Sequence, residues 1–110
     1  NRDNETFKLL KKQNNVLKIH NTGVLKFLEE TLKPNCIVLF GSASKGEDIE
    51  SSDMDIFVQA KERILNLSKY ESLLKRKVSL LFEPNIKNLS KELLNNLING
   101  EVLYGYLKVL

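Results

Sequence analysis

The sequence predicts an α/β domain of the α+β kind, a small mixed β-sheet with helices packed on it. Three observations carry that prediction. Short apolar runs with strand character recur at residues 37–40, 53–58 and 78–82. Segments with apolar residues at spacings of three and four stand before, between and after them. The loop joining the first two runs is too short for a helical crossover, which makes that pair antiparallel and the sheet mixed.

At 110 residues the chain is one domain, just large enough for a self-sufficient core, and leaves no room for a second catalytic domain. Its 42% hydrophobic and 28% charged content is that of ordinary globular chains, and without Trp the core must come from Leu, Ile and Val. A net charge of 17 − 14 = +3, with the signs interspersed, is too weak to diagnose a nucleic-acid binder. The single Cys36 reads as a buried small hydrophobe; it excludes a disulfide scaffold within the chain and makes the reducing cytoplasm the expected compartment. Apolar runs of only a few residues predict neither a transmembrane helix nor a secretory signal. The chain begins at Asn1 rather than Met, so a preceding segment is expected.

Residues 5–20 predict a helix with Leu9, Leu10, Gln13, Val16, Leu17 and His20 along one face, ending at Asn21. Residues 1–21 are thus expected to be an N-terminal helix or linker, and 22–110 the domain proper. Thr22 is placed to cap a second helix through Val24, Phe27, Leu28 and Leu32, which Pro34 stops. Ile37 to Phe40 is too short for a helix and reads as a buried strand closed by Gly41. After a polar dozen, residues 53–58 alternate, with Asp53, Asp55 and Phe57 on one face and Met54, Ile56 and Val58 on the other.

Residues 61–75 predict a looser helix through Ile64, Leu65, Leu67, Tyr70, Leu73 and Leu74. The cluster Lys75-Arg76-Lys77 reads as a solvated basic turn before a third strand, Val78 to Phe82. A last helix capped at Asn88 or Ser90 turns Leu89, Leu93, Leu94, Leu97 and Ile98 inward and ends at Asn99-Gly100. The tail EVLYGYLKVL fits a short strand or a helical turn equally well.

The chemistry concentrates between Cys36 and Val58. Carboxylates at i and i+2 of a strand point the same way and repel one another unless a cation sits between them. Oxygen ligands of that kind suit Mg²⁺ or Mn²⁺, the ions that phosphoryl and nucleotidyl transfer use. Gly41-Ser42 directly follows a buried strand, where glycine lets the backbone approach a ligand and Ser42 and nearby N–H groups can bind phosphate oxygens. Ser44 and Lys45 add a hydroxyl and a cation. Competing motifs fail. GSASKGED puts Glu47 and Asp48 where a P-loop needs Lys and a hydroxyl residue, and an EF-hand cannot run into an apolar strand.

Gly41-Ser42, ten residues, then Asp53-x-Asp55 between apolar strands resembles the DNA polymerase beta-like nucleotidyltransferase superfamily, and more narrowly its minimal archaeal and bacterial members. The resemblance runs from about Thr22 to the end. It implies that Gly41 and Ser42, assisted by Ser44 and Lys45, hold a nucleoside triphosphate such as ATP. It implies that Asp53 and Asp55 bind Mg²⁺ or Mn²⁺ and are catalytic. It implies in-line transfer of a nucleotide to a protein or nucleic-acid hydroxyl with release of pyrophosphate, in some relatives onto a partner toxin. The closing NGEVLYGYLKVL resembles archaeal members that follow a DNA-binding segment, and an oligomer is compatible with either setting.

One departure stands out. Relatives place a third carboxylate on the following strand, where this chain has Ser79; Glu83 shares its face but lies about 13 Å further along at ~3.3 Å per residue. Two readings follow: a metal-dependent transferase, possible as an antitoxin, and a non-catalytic nucleotide-binding regulatory or partner-binding module.

Overall fold

The structure, a computed structural model, describes residues 2–109. The elements run α1 (Arg2–Thr22), α2 (Val24–Leu32), β1 (Cys36–Phe40), α3 (Ser42–Lys45), β2 (Met54–Val58), α4 (Ser68–Leu74), β3 (Val78–Phe82), a 3₁₀ turn (Ile86–Asn88), α5 (Lys91–Ile98) and β4 (Glu101–Gly105). Among the described residues the strands form one sheet in the order β3-β2-β1-β4. β1 pairs antiparallel with β2 and with β4, and β2 pairs parallel with β3 across the α4 crossover. The sheet is therefore mixed, as the short first connection requires. The ambiguous tail opens as the edge strand β4.

Strand alternation divides the core in two. Ile37, Leu39, Met54, Ile56 and Val58 face one side, where Ile19, Val24, Leu25 and Leu28 of the N-terminal helices cover them. Cys36, Val38 and Phe57 face the other and meet Leu97 of α5. Cys36 is fully buried, and burial pushes its thiol up to about 11. No helix among the described residues is long and apolar enough to cross a membrane.

Three local expectations are corrected. In α1 the helix forms but the buried face is not the Leu9–His20 stripe: Leu9, Leu10 and Leu17 are more than half exposed, whereas Asn15 and Ile19 are buried. Apolar residues lie all around this helix, so periodicity left its rotation open. Backbone approach decides it, because Gly46 sits so near α1 that an added Cβ would collide with the Lys8 carbonyl. We expect Ile19→Ala to cost about 2–5 kcal/mol in urea denaturation; a peripheral helix would lose well under 1.

The N-cap of α2 is Gly23, at φ 87, rather than Thr22, because α1 runs through Thr22 and the chain turns sharply between the helices. The Thr22 hydroxyl supports that turn, donating to the Ile19 carbonyl at 3.0 Å and accepting from the Val24 N–H at 3.4 Å. Residues 61–67 have no regular secondary structure, and α4 starts only at Ser68. A parallel crossover must carry the chain back along the whole of β2, and an extended residue covers about twice the distance of a helical one. Arg63 ties this span to the end of α2 by donating to the Thr31 carbonyl at 2.9 Å. At α5, Ser90 rather than Asn88 is the cap, its hydroxyl accepting from the Leu93 N–H at 3.1 Å.

Candidate active site

The site is built at the end of the sheet where β1 stops. Phe40, the last residue of β1, pairs with Asp55 on β2, so the Gly41 turn and the carboxylates arrive at the same place. Gly41 has φ 73 and ψ −158, a conformation that is essentially glycine's alone. A Cβ added there would meet the Asp55 Oδ2 atom at 2.6 Å, so the bare backbone lies against that carboxylate. Ser42 opens the single-turn helix α3. Asp53 stands immediately before β2 and is exposed.

Ser44 is buried, and its hydroxyl donates to the Gly41 carbonyl at 2.7 Å, which locks the turn. Lys45 is exposed in the last position of α3. The structure thus brings Gly41 and Asp55 together, with Ser42 and Asp53 as their chain neighbours. It sets Ser44 beneath the turn and Lys45 on the surface.

Electrostatics mark the carboxylate pair. The Asp55 carboxyl is held above the ordinary carboxylate range, first by burial and second by the negative charge of Asp53. Among the described residues no cationic side chain pairs with either acid. Two carboxylates with no protein counterion suit a hard divalent cation whose other ligands are water and phosphate oxygens. No group of three or more His, Cys, Asp or Glu side chains that could hold a metal ion occurs among the described residues, so such an ion would have Asp53 and Asp55 as its carboxylates here.

The neighbouring strand explains why. Ser79 pairs in register with Asp55 and is exposed, so a hydroxyl occupies the place beside the carboxylates on β3. Glu83 lies beyond the opposite end of β3, where its N–H bonds the Val58 carbonyl at 3.3 Å. Its carboxylate accepts from the Asn85 N–H at 3.1 Å and from Asn88 Nδ2 at 3.3 Å, so it organises the loop after β3.

Sequence reasoning missed a buried polar network under the loop that carries Asp53. Arg76, expected in a solvated turn, has a side chain only 7% exposed, and its Nη1 donates to Asp48 Oδ2 at 2.6 Å. Asn15 Nδ2 donates to both Asp48 oxygens, at 3.1 and 3.3 Å, and to the Ala43 carbonyl at 3.1 Å. Lys75 and Lys77 on either side are exposed. The alternation in KRK was the available signal, but nothing local says which cation turns inward.

A glycine turn thus lies against the strand carboxylate of Asp55, with Asp53 beside it at the end of a mixed sheet. The chain belongs to the family described as "Polymerase beta, Nucleotidyltransferase", whose model matches residues 23–107. A relative from Methanocaldococcus jannaschii, provisionally named protein adenylyltransferase MJ1379, is 38% identical over 71 residues, covering 57% of this chain and 71% of its own. A solved toxin-antitoxin structure with AMP-PNP is 30% identical with a TM-score of 0.58, covering 78% of this chain and 73% of that one. A toxin-antitoxin MntA-HepT structure, bearing two Asp-to-Glu substitutions two positions apart, is 27% identical with a TM-score of 0.57 and covers 76% and 71%. The chain thus contains a nucleotidyltransferase domain with the fold of these neighbours.

Proposed function

We propose that this domain transfers a nucleoside monophosphate, AMP by preference, from its triphosphate to a hydroxyl of a partner protein. The observation that carries the reading is the Gly41 backbone packed against Asp55, one of two neighbouring carboxylates that no cationic side chain among the described residues pairs with. The adenylyltransferase name of one relative and the AMP-PNP of a neighbour support ATP as donor. The toxin-antitoxin neighbours support a protein acceptor and an antitoxin role.

The chemistry is an in-line displacement. The acceptor oxygen forms a bond to the α-phosphorus, the bond from that phosphorus to the bridging oxygen of the β-phosphate breaks, and pyrophosphate leaves while the hydroxyl proton passes to solvent or a nearby base. Asp53 and Asp55 would hold Mg²⁺ or Mn²⁺, which supplies charge neutralisation on the triphosphate. Gly41 and Ser42 present backbone N–H and hydroxyl groups to phosphate oxygens, with Lys45 at the rim. Positioning and charge balance account for catalysis of this kind.

The test is incubation with α-labelled NTPs, Mg²⁺ or Mn²⁺ and a candidate acceptor. Metal-dependent labelling that Asp53→Ala and Asp55→Ala abolish supports the transferase; nucleotide binding with no transfer under any condition refutes it. That second outcome is the regulatory-module reading, which Ser79 favours, since a hydroxyl is a poorer metal ligand than a carboxylate. Ser79→Asp separates the two. If transfer is limited by the missing third ligand, the variant should label acceptor about tenfold faster at limiting Mg²⁺, on the order of 1.4 kcal/mol. An unchanged rate would mean that two carboxylates suffice.

A further inference from the structure

Asp53 sits outside β2, in the last position of a loop, yet a metal ligand must be held to within a fraction of an ångström. The hydrogen bonds on either side of it come from one place. On its N-terminal side, Arg76 Nε donates to the Ser52 carbonyl oxygen at 2.8 Å and Nη2 reaches the Ser52 hydroxyl at 3.1 Å. That carbonyl belongs to the peptide unit that ends at the Asp53 nitrogen. On its C-terminal side, the Met54 N–H donates to the Lys77 carbonyl at 2.9 Å. The α4–β3 turn therefore grips Asp53 from both flanks through consecutive residues, 76 and 77.

The turn is shaped for that task. Lys75 adopts φ 59, a left-handed conformation unusual for a non-glycine residue, directly before Arg76. Asp48, which is fully buried, anchors the remaining guanidinium nitrogen, so the fork cannot swing away from Ser52.

We infer that Arg76 is a positioning residue for the Asp53 carboxylate: its guanidinium, held by Asp48, fixes the Ser52–Asp53 peptide and so sets where the metal-binding oxygen stands. The inference rests on the proposed metal site. Arg76 touches neither nucleotide nor metal in this role. Lysine in its place keeps a positive charge for Asp48 but lacks the planar fork that spans Asp48 and Ser52 together.

The experiment is a Mn²⁺ titration of the whole chain by electron paramagnetic resonance, with and without a non-hydrolysable ATP analogue, alongside thermal melts. Arg76→Lys should fold and bind Mn²⁺ with Kd raised about 10- to 100-fold, the range typical of residues that orient a metal ligand. Its transfer rate should recover in part at high Mn²⁺, with the KM for ATP changing less than kcat. Asp48→Asn takes the ionic anchor from the guanidinium and should also raise the Mn²⁺ Kd, by less than Arg76→Lys does, because both bonds from Arg76 to Ser52 can still form. A folded Arg76→Lys whose Mn²⁺ affinity matches wild type overturns the inference. If Arg76→Lys does not fold, the double variant Asp48→Leu/Arg76→Met decides, since replacing both buried partners leaves no charge unpaired: a folded double variant with a raised Mn²⁺ Kd supports the role, and an unchanged Kd overturns it. Wild-type protein that binds no Mn²⁺ sinks the metal site itself and this inference with it; wild-type binding with an unaffected Arg76→Lys sinks this inference alone.

Discussion

Asp55→Asn is expected to lower nucleotidyl transfer by at least about a thousandfold, equal to ~4 kcal/mol, while raising the melting temperature of the metal-free protein. The two effects share a cause. Burial, and then the Asp53 charge, make the folded state hold the Asp55 proton more tightly than the unfolded chain does. Stability is therefore fullest below the ordinary carboxylate range and falls as pH rises through the window between the unfolded and the raised folded value. Asparagine carries no charge to bury, so its gain is present at neutral pH and disappears in acid. Mn²⁺ should raise the melting temperature of wild type by mass action and leave the variant unmoved. Melts at pH 7 and in acid, with and without Mn²⁺, read all of this. A variant that melts below wild type at pH 7 without metal would show that the carboxylate is not the strained group.

Gly41→Ala should disable the site by a different route. The backbone there, at φ 73 and ψ −158, is unfavourable for any side chain by about 1–3 kcal/mol. The new Cβ also meets Asp55 Oδ2 at 2.6 Å, which either displaces the carboxylate or opens the turn that Ser44 closes. The expected result is a destabilised but folded protein with metal and nucleotide binding lost together. The double variant Gly41→Ala/Asp55→Ala separates the terms. Removing the carboxylate relieves the clash but not the torsion, so the effects of the two substitutions on stability should fail to add. Additive effects in denaturant titrations would remove the contact from the account.

Much of this site was legible before any coordinates. A strand has a side-chain period of two, so Asp53-x-Asp55 running into Ile56, Phe57 and Val58 placed both acids on one face. A glycine after a buried run marks a turn, and the order of turn and acids pointed to one chemistry. The place of Ser79 came from resemblance, and pairing with Asp55 fixes it. The face of α1 and the non-helical span at 61–67 could not be read so. The first depends on where Gly46 allows a close approach, the second on how far a crossover must travel.

What the sequence by itself determined is what local periodicity and steric freedom determine: the first three strands, the Gly41 turn, and two acids two positions apart at the start of the second strand. Only the tertiary structure decided that Gly41 lies against Asp55 and that Ser79 pairs in register with it. It alone turned Arg76, out of three adjacent cations, inward to Asp48, 28 positions away in sequence. The reason is physical. A period is written into consecutive residues, whereas a buried charge is tolerated only where a partner from another segment arrives to meet it.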